Sequence, residues 1–466
     1  MKKLFLTTAS AVALLAAGPA LAQNVSDVEQ TGNTEYAEVM QNGVGSNNSD
    51  VDQDGTNNKA YVTQTSTAGD VNKSVLRQTD NSSGNKATVE QTGEGNFSDV
   101  LQDGVDSSVE VTQTGNDNSS TVTQDTFLGG GSSVAVSQTG ASNQSAVDQL
   151  AWGASVIVDQ GQTDGASANN LSYVGQAAAY SEVNVDQDGS DNTSDVYQLT
   201  GLASVNVDQD GIGNASTVLQ AGATSSVDVK QEGNDNQSLV GQVAIGSAVD
   251  VDQIGDDNRA VVGELSANTF AKVEQDGSDN DAVVGQLGSS VQLALADLLV
   301  PATLTSTDFF ADIYQNEGNS LVAGQLGIGN QVTVRQTGSD NEAGKRGPDA
   351  YVGIAQIGES QVAYLTQGGS NNVSRIYQGL NSGGTSSDNT ANVTQNGEGG
   401  LSLVRQDGEG NTADLWQDAG TTGNESSIVQ SGSGNDANVW QYSSGNQSFV
   451  TQTGSGNIAS VTQGSF

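Results

Sequence analysis

The sequence predicts an all-β chain: a β-solenoid of stacked strand–turn–strand coils, about 22 residues per coil with two strands each, forming parallel in-register sheets. Three observations predict it. Gln187, Gln198, Gln209, Gln220, Gln231, Gln242, Gln253, Glu264, Gln275 and Gln286 recur every 11 residues without a slip. Within each half of the unit the recurring residues are spaced by two, the alternation of a strand with one buried face. Gly189, Gly211, Gly233, Gly255 and Gly277 each follow a glutamine by two positions, where a tight arc between strands needs positive φ.

Taken in chain order, the first element is a leader. MKKLFLTTASAVALLAAGPALAQ has a basic start, an apolar middle and Ala20-Leu21-Ala22 ahead of Gln23, so residues 1–22 read as a secretory signal peptide. Coils are expected over 23–290 and again over 313–466, separated by a non-repeat apolar insertion at 291–312. That insertion is too short, and too interrupted by Asp297 and Pro301, to span a membrane. It reads as a flap or short helix covering the coils, or as a subunit contact. A second interruption, EAGKRGPDA at 342–350, reads as an enlarged surface arc that concentrates basic charge in Lys345 and Arg346.

Aligning the chain at the coil length gives columns. Val185, Val207, Val229, Val251 and Val273 form one; Asn192, Asn214, Asn236, Asn258 and Asn280 follow the arc. Small residues come next (Ser194, Ser216, Ser238, Ala260, Ala282), then Val196, Val218, Val240, Val262 and Val284. Counting Glu264 and Gln176, 36 half-coils give 18 coils, a rod on the order of 85 Å at ~4.8 Å per coil. In register, each glutamine or asparagine amide can donate to the same amide one coil away, satisfying groups that cost about 1–3 kcal/mol each when buried unpaired. The amide columns therefore read as structural ladders rather than as a binding site. Glu264 stands in a glutamine column, either as a near-isostere or as a buried carboxyl of raised pKa.

Composition narrows the function. The chain has 14 basic and 55 acidic residues; two lysines lie in the leader, leaving 12 against 55, a charge of −43. Nucleic acid and anionic membranes would be repelled. Cysteine and histidine are both absent, which excludes disulfides, thiolate chemistry and His-based catalysis. Asp186, Asp188, Asp208, Asp210, Asp252, Glu274 and Asp276 flank the first glutamine of each coil, whereas Leu199, Ala221, Val243, Leu265 and Leu287 follow the second. One outer face is thus acidic and the other neutral to apolar. Like charges ~4.8 Å apart repel by roughly 0.9 kcal/mol in water, so the acidic face opposes stacking and guards against premature aggregation. Ca²⁺ bridging between coils is the alternative use of those carboxylates; no other cofactor is expected. The three tryptophans and ten tyrosines are too sparse for a carbohydrate-stacking track and are expected on outer faces or arcs.

The phrase Q-x-G-x-x-N-x-[AS]-x-V-x-Q resembles the curlin repeat. It stands in full as QDGSDNTSDVYQ (187–198), QDGIGNASTVLQ (209–220) and QEGNDNQSLVGQ (231–242), and recurs as QTGSGNIASVTQ (452–463). The resemblance implies a secreted subunit, reaching the cell surface via the periplasm, that stacks end to end into an extracellular amyloid fibre for adhesion and biofilm matrix. It implies other curli-like subunits, an outer-membrane export pore and accessory factors as partners. The chain carries several times more copies of the unit than such subunits do, and NVSDVEQTGN enters the repeat directly after the predicted cut.

The leading expectation is thus a fibre subunit, principal or nucleating. A monomeric β-solenoid surface adhesin or cation-binding rod is the alternative. An enzyme needs one distinct constellation of shifted carboxylates in a cleft, and carboxylates recurring on coil after coil do not supply it, so no enzyme is expected.

Overall fold

Alternation by two turns each half-coil into a strand. The computed structural model describes residues 24–66, 70–79, 82–126, 131–161, 167–265, 267–287, 310–316, 318–345, 351–380 and 386–464. Among them there is no helix, hence none long and apolar enough to cross a membrane. The predicted leader at 1–22 lies outside the described residues.

The chain divides into two units, Met1–Leu202 and Ala203–Phe466, each a β-solenoid. In the first, strands Val25–Asn33, Asn47–Thr56 and Asn72–Gln78 pair in parallel, and Gln30 lies beside Gln53, and Gln53 beside Gln78. Strands Tyr36–Gly43, Lys59–Ser66 and Lys86–Glu94 build the facing sheet in the same way. In the second unit, Ser204–Ile212, Ser226–Asn234 and Ala248–Asp256 share one sheet, and Ala215–Gln220, Gln237–Gln242 and Arg259–Leu265 share the other. Successive strands go to opposite sheets, so two strands and two arcs complete one coil. The described strands make about 18 such coils in all.

The core is mixed. Val227, Val229 and Gln231 point inward from one sheet, and Asn236, Ser238, Val240 and Gln242 from the other, all buried. Valine fills the middle of each strand because its branched Cβ packs well on a pleated surface. The amides sit where the strands enter and leave the arcs.

The arc between Gln231 and Asn236 uses two residues of positive φ, whereas the arc after Gln242 uses one, Gly246. Gly233 has φ +111° and Asp235 has φ +55°. Asp235 is in the αL region that Asp, Asn and Gly tolerate. Gly233 is further out and meets a second constraint: a Cβ there would lie 2.1 Å from the carbonyl oxygen of Gly255, one coil on. The Asn236 side chain donates to that same oxygen at 2.7 Å, so glycine and asparagine act together to close the arc.

The two interruptions behave differently. Residues 288–309, most of the predicted insertion, lie outside the described residues; strand Phe310–Asn316 then pairs in register with Phe270–Asp276, Gln315 beside Gln275. The second interruption leaves from within a strand rather than from an arc. Glu342 and Ala343 pair with Ser320 and Leu321, Gly344 and Lys345 turn back antiparallel to Val352 and Tyr351, and Ile354–Glu359 resumes the pairing against Ala323–Ile328. Its glycine, Gly344 (φ +108°), lies so close to Val322 that a Cβ would be 2.7 Å from the Val322 nitrogen, which lets the chain depart there. Trp152 and Trp416 are exposed and Trp440 half-exposed, on outer faces and arcs as expected.

Candidate functional site

Glutamine is long enough for its amide to reach the next coil while its stem lines the core. In the first unit one column runs Gln30, Gln53, Gln78, Gln102, with Nε2 donating to the next Oε1 at 2.7, 2.7 and 2.8 Å, and further on Gln176 donates to Gln198 at 2.9 Å. The facing column brings Gln160 to Gln187 at 2.8 Å. In the second unit Gln209, Gln231, Gln253 and Gln275 are linked at 2.8, 2.8 and 2.7 Å, and Gln220 donates to Gln242 at 3.0 Å. The second amide hydrogen goes to the main chain, as from Gln231 to Ala215 O at 3.2 Å. Every link has the same sense: donors face later coils and acceptors face earlier ones. The columns are therefore polar, which the sequence did not reveal.

The asparagine column carries the expected amide-to-amide links, Asn236 Nδ2 to Asn214 Oδ1 at 3.1 Å and Asn280 Nδ2 to Asn258 Oδ1 at 2.9 Å, but they point toward earlier coils, opposite to the glutamines. Asn236, Asn258 and Asn280 donate their main-chain N–H to the side-chain oxygen one coil back, at 3.0, 3.1 and 3.1 Å. The column's side-chain nitrogens also hold the arc one coil on, as Asn214 does on Gly233 O at 2.9 Å and Asn258 on Gly277 O at 2.8 Å. In the first unit Asn192 N–H donates to Asn170 Oδ1, and Asn170 caps Gly189 O, both at 3.0 Å. The small-residue column is less satisfied: Ser194 in the first unit, and Ser216 and Ser238 in the second, bury hydroxyls with no hydrogen-bond partner.

Two carboxyls interrupt the amide columns. Glu264 is 2 % exposed and accepts from Gln242 Nε2 at 3.1 Å. Burial pushes its pKa up to about 7, against the lowering influence of the Gln242 and Thr269 side chains. Glu35, in the first described coil, takes an asparagine position and accepts Asn58 N–H at 2.9 Å; burial raises its pKa too. The sequence signalled the first through the glutamine register. The second was missed, because that column is variable in the first unit.

The acidic face is present in the second unit, but interleaved. Asp208, Lys230, Asp252 and Glu274 are stacked neighbours. Lys230 pairs with Glu232, and Lys272 with Glu274 at 3.0 Å. The basic residues were overlooked in the sequence because they occupy only two coils. Burial raises the pKa of Asp208, Asp250 and Asp252, with Lys230 and Lys272 pulling the other way. In the first unit burial and neighbouring Asp186 push Asp159 up to about 6. Among the described residues no group of three or more acidic side chains is placed to hold a metal ion.

The outermost described coils are uncovered. Val25 is 54 % exposed in the first; Phe449 and Ile458 are 67 % and 79 % exposed in the last. Gln30 and Gln41 end their columns as acceptors. Gln452 and Gln463 end theirs as donors, each with one amide hydrogen on a main-chain carbonyl, Asp436 O at 2.8 Å and Gln447 O at 2.7 Å. Asp27, Glu29, Glu35 and Glu38 make the first coil acidic, whereas Gln447 to Phe466 has no charged side chain.

The model of the curlin associated repeat matches three stretches of the chain, residues 83–115, 203–233 and 224–255. Each covers strands whose glutamines stand in the two columns, such as Gln91, Gln102 and Gln113 in the first. No curated protein shows a significant match.

Proposed function

We propose that this chain, which carries curlin associated repeats, is a secreted, non-catalytic structural subunit of a curli-like extracellular fibre serving surface adhesion and biofilm matrix. Its partners are further copies of itself and other curli-like subunits, and it leaves the cell through an outer-membrane pore after its leader is removed. The observation that carries the reading is the pair of uncovered, complementary end coils. Open strand edges with unfinished ladders are templates for another strand.

The polarity of the columns selects how copies join. The donor end of one copy meets the acceptor end of the next, Gln452 over Gln30 and Gln463 over Gln41. Val450 then lies over Val28 and Thr451 over Glu29, so the aliphatic column continues and no carboxylate faces another across the joint. Joining two acceptor ends would set acidic coils and amide oxygens against each other. Electron microscopy and sedimentation of the chain from Gln23 onward test the reading. Unbranched, thioflavin-positive fibres that lengthen with time and concentration are expected. A chain that stays monomeric at high concentration overturns it and favours a single-copy surface adhesin.

A further inference from the structure

The interruption at Glu264 leaves a specific gap. Every glutamine around it spends one amide hydrogen on the next coil and the other on the facing strand. Gln242 donates to Glu264 and to Ser226 O at 3.4 Å; Gln286 donates to Gln325 Oε1 and to Phe270 O, both at 3.1 Å. Glu264 is aligned with Gln286 in the parallel register, and an ionised carboxylate has no hydrogen to give. Two acceptors are consequently left without a hydrogen bond in the core at the same joint, Glu264 Oε1 and Gln286 Oε1, and the Thr269 hydroxyl, close enough to influence Glu264, makes none either. A column of donors and acceptors with one sense breaks at this single link and resumes after it.

No other ionisable group intrudes. Strand Gln237–Gln242 has none. On the other packed strands the charged residues are Arg259 beside Glu264, Asp281 on the next coil, and Asp228, Lys230, Glu232, Asp250, Asp252, Asp256, Lys272, Glu274 and Asp276 on the facing sheet. All of these lie on the solvent side, while Val249, Val251, Gln253, Ala271, Val273 and Gln275 face Glu264 from within the core. The state of the joint is thus set by the proton on Glu264 rather than by a salt bridge.

We propose that Glu264 is a proton-operated joint in the amide column: protonated, its carboxyl donates to Gln286 Oε1 and completes the ladder; ionised, it sets two acceptors face to face and loosens the coils there. The joint lies within the second unit, so it acts in one copy as well as in a fibre. Lowering the pH past neutrality tightens strands Arg259–Leu265 and Asp281–Leu287, and raising it frees them to open locally while the coils on either side hold.

Hydrogen exchange on the full chain at about pH 5.5 and 8.5 reads this, with rates corrected for intrinsic chemistry and referenced to strand Glu425–Ser433. For a carboxyl moved from 4.5 to about 7, protection at the two strands should fall about 30-fold between those pH values. Glu264→Gln supplies the column's own residue, with both hydrogens, and should remove that pH dependence. In the unmodified chain the ¹³C-labelled Glu264 carboxyl should titrate near neutrality. A Glu264→Gln chain with the same local pH dependence as the parent overturns the proposal, as does a Glu264 carboxyl titrating at its ordinary value.

Discussion

Replacing Gly233 by alanine should open the solenoid locally, whereas the same change at Gly434 should hardly be felt. Both glycines have positive φ, +111° at Gly233 and +61° at Gly434. The second is an αL position, where alanine costs about 1 kcal/mol. At the first the backbone is outside αL, a strain of about 1–3 kcal/mol for a residue with a Cβ. The new Cβ would also stand 2.1 Å from Gly255 O, where real contacts are essentially never under 3.0 Å, while at Gly434 nothing lies within 4 Å. Clearing the overlap displaces the carbonyl that holds Asn236 Nδ2 at 2.7 Å, and orphaning that pair adds about 1–3 kcal/mol. The total for Gly233→Ala is about 2–6 kcal/mol, hence a loss of at least roughly 30-fold in hydrogen-exchange protection across Ser226–Asn234 and Ala248–Asp256. Gly434→Ala should cost its own arc about fivefold. Equal losses at the two sites would refute the argument that close approach between coils, rather than φ alone, selects glycine.

Other outcomes follow from the same geometry. Gln253→Leu keeps the volume but strands a Gln231 amide hydrogen and Gln275 Oε1, and should destabilise its coil by about 2–4 kcal/mol in local exchange. Ser238→Ala should be neutral or stabilising by about 1 kcal/mol, since its buried hydroxyl has no partner and Ala260 stands one coil on in the same column. The raised carboxyls set the pH dependence. A folded pKa above the unfolded one leaves stability complete below about pH 4, to be lost as pH climbs through the raised values, about 6 for Asp159 and about 7 for Glu264. Urea resistance should therefore be greater at pH 5 than at pH 8, and fibre growth faster; growth indifferent to pH would contradict the role given to these carboxyls.

Much of this fold is legible in the sequence because a coil repeated many times averages away local exceptions. One copy of Gln-x-Gly-x-x-Asn says little; Gln209, Gln231 and Gln253 at one spacing leave no other arrangement in which all three amides are satisfied. What escaped notice depends on direction or on single coils. The sense of the glutamine columns follows from side-chain rotamers, which spacing does not encode. Asp235 and Asp257, both αL at +55° and +57°, sit where any polar residue looks like loop filler. The asparagine column shares the amide ladder, yet its links run toward earlier coils and its side chains also hold the neighbouring arc, neither of which spacing encodes. The excursion at Gly344 departs mid-strand because Glu342 and Ala343 still obey the alternation. Glu264 stood out by breaking the register, but the orphaned Gln286 oxygen beyond it became visible only once the columns had a direction.

The account rests most heavily on copies joining in one register and one polarity, and a cysteine-free chain allows a direct test. Glu29→Cys together with Thr451→Cys places one thiol on the outer face of each end coil, aligned only if Gln452 stacks on Gln30. Neighbouring strands at about 4.8 Å are within disulfide reach, whereas a two-residue slip carries the pair beyond about 7 Å. Oxidising assembled fibres should yield a covalent ladder of multimers from the double variant and only monomers from either single variant. Monomers from the double variant, or disulfide dimers from a single one, would contradict polar in-register stacking.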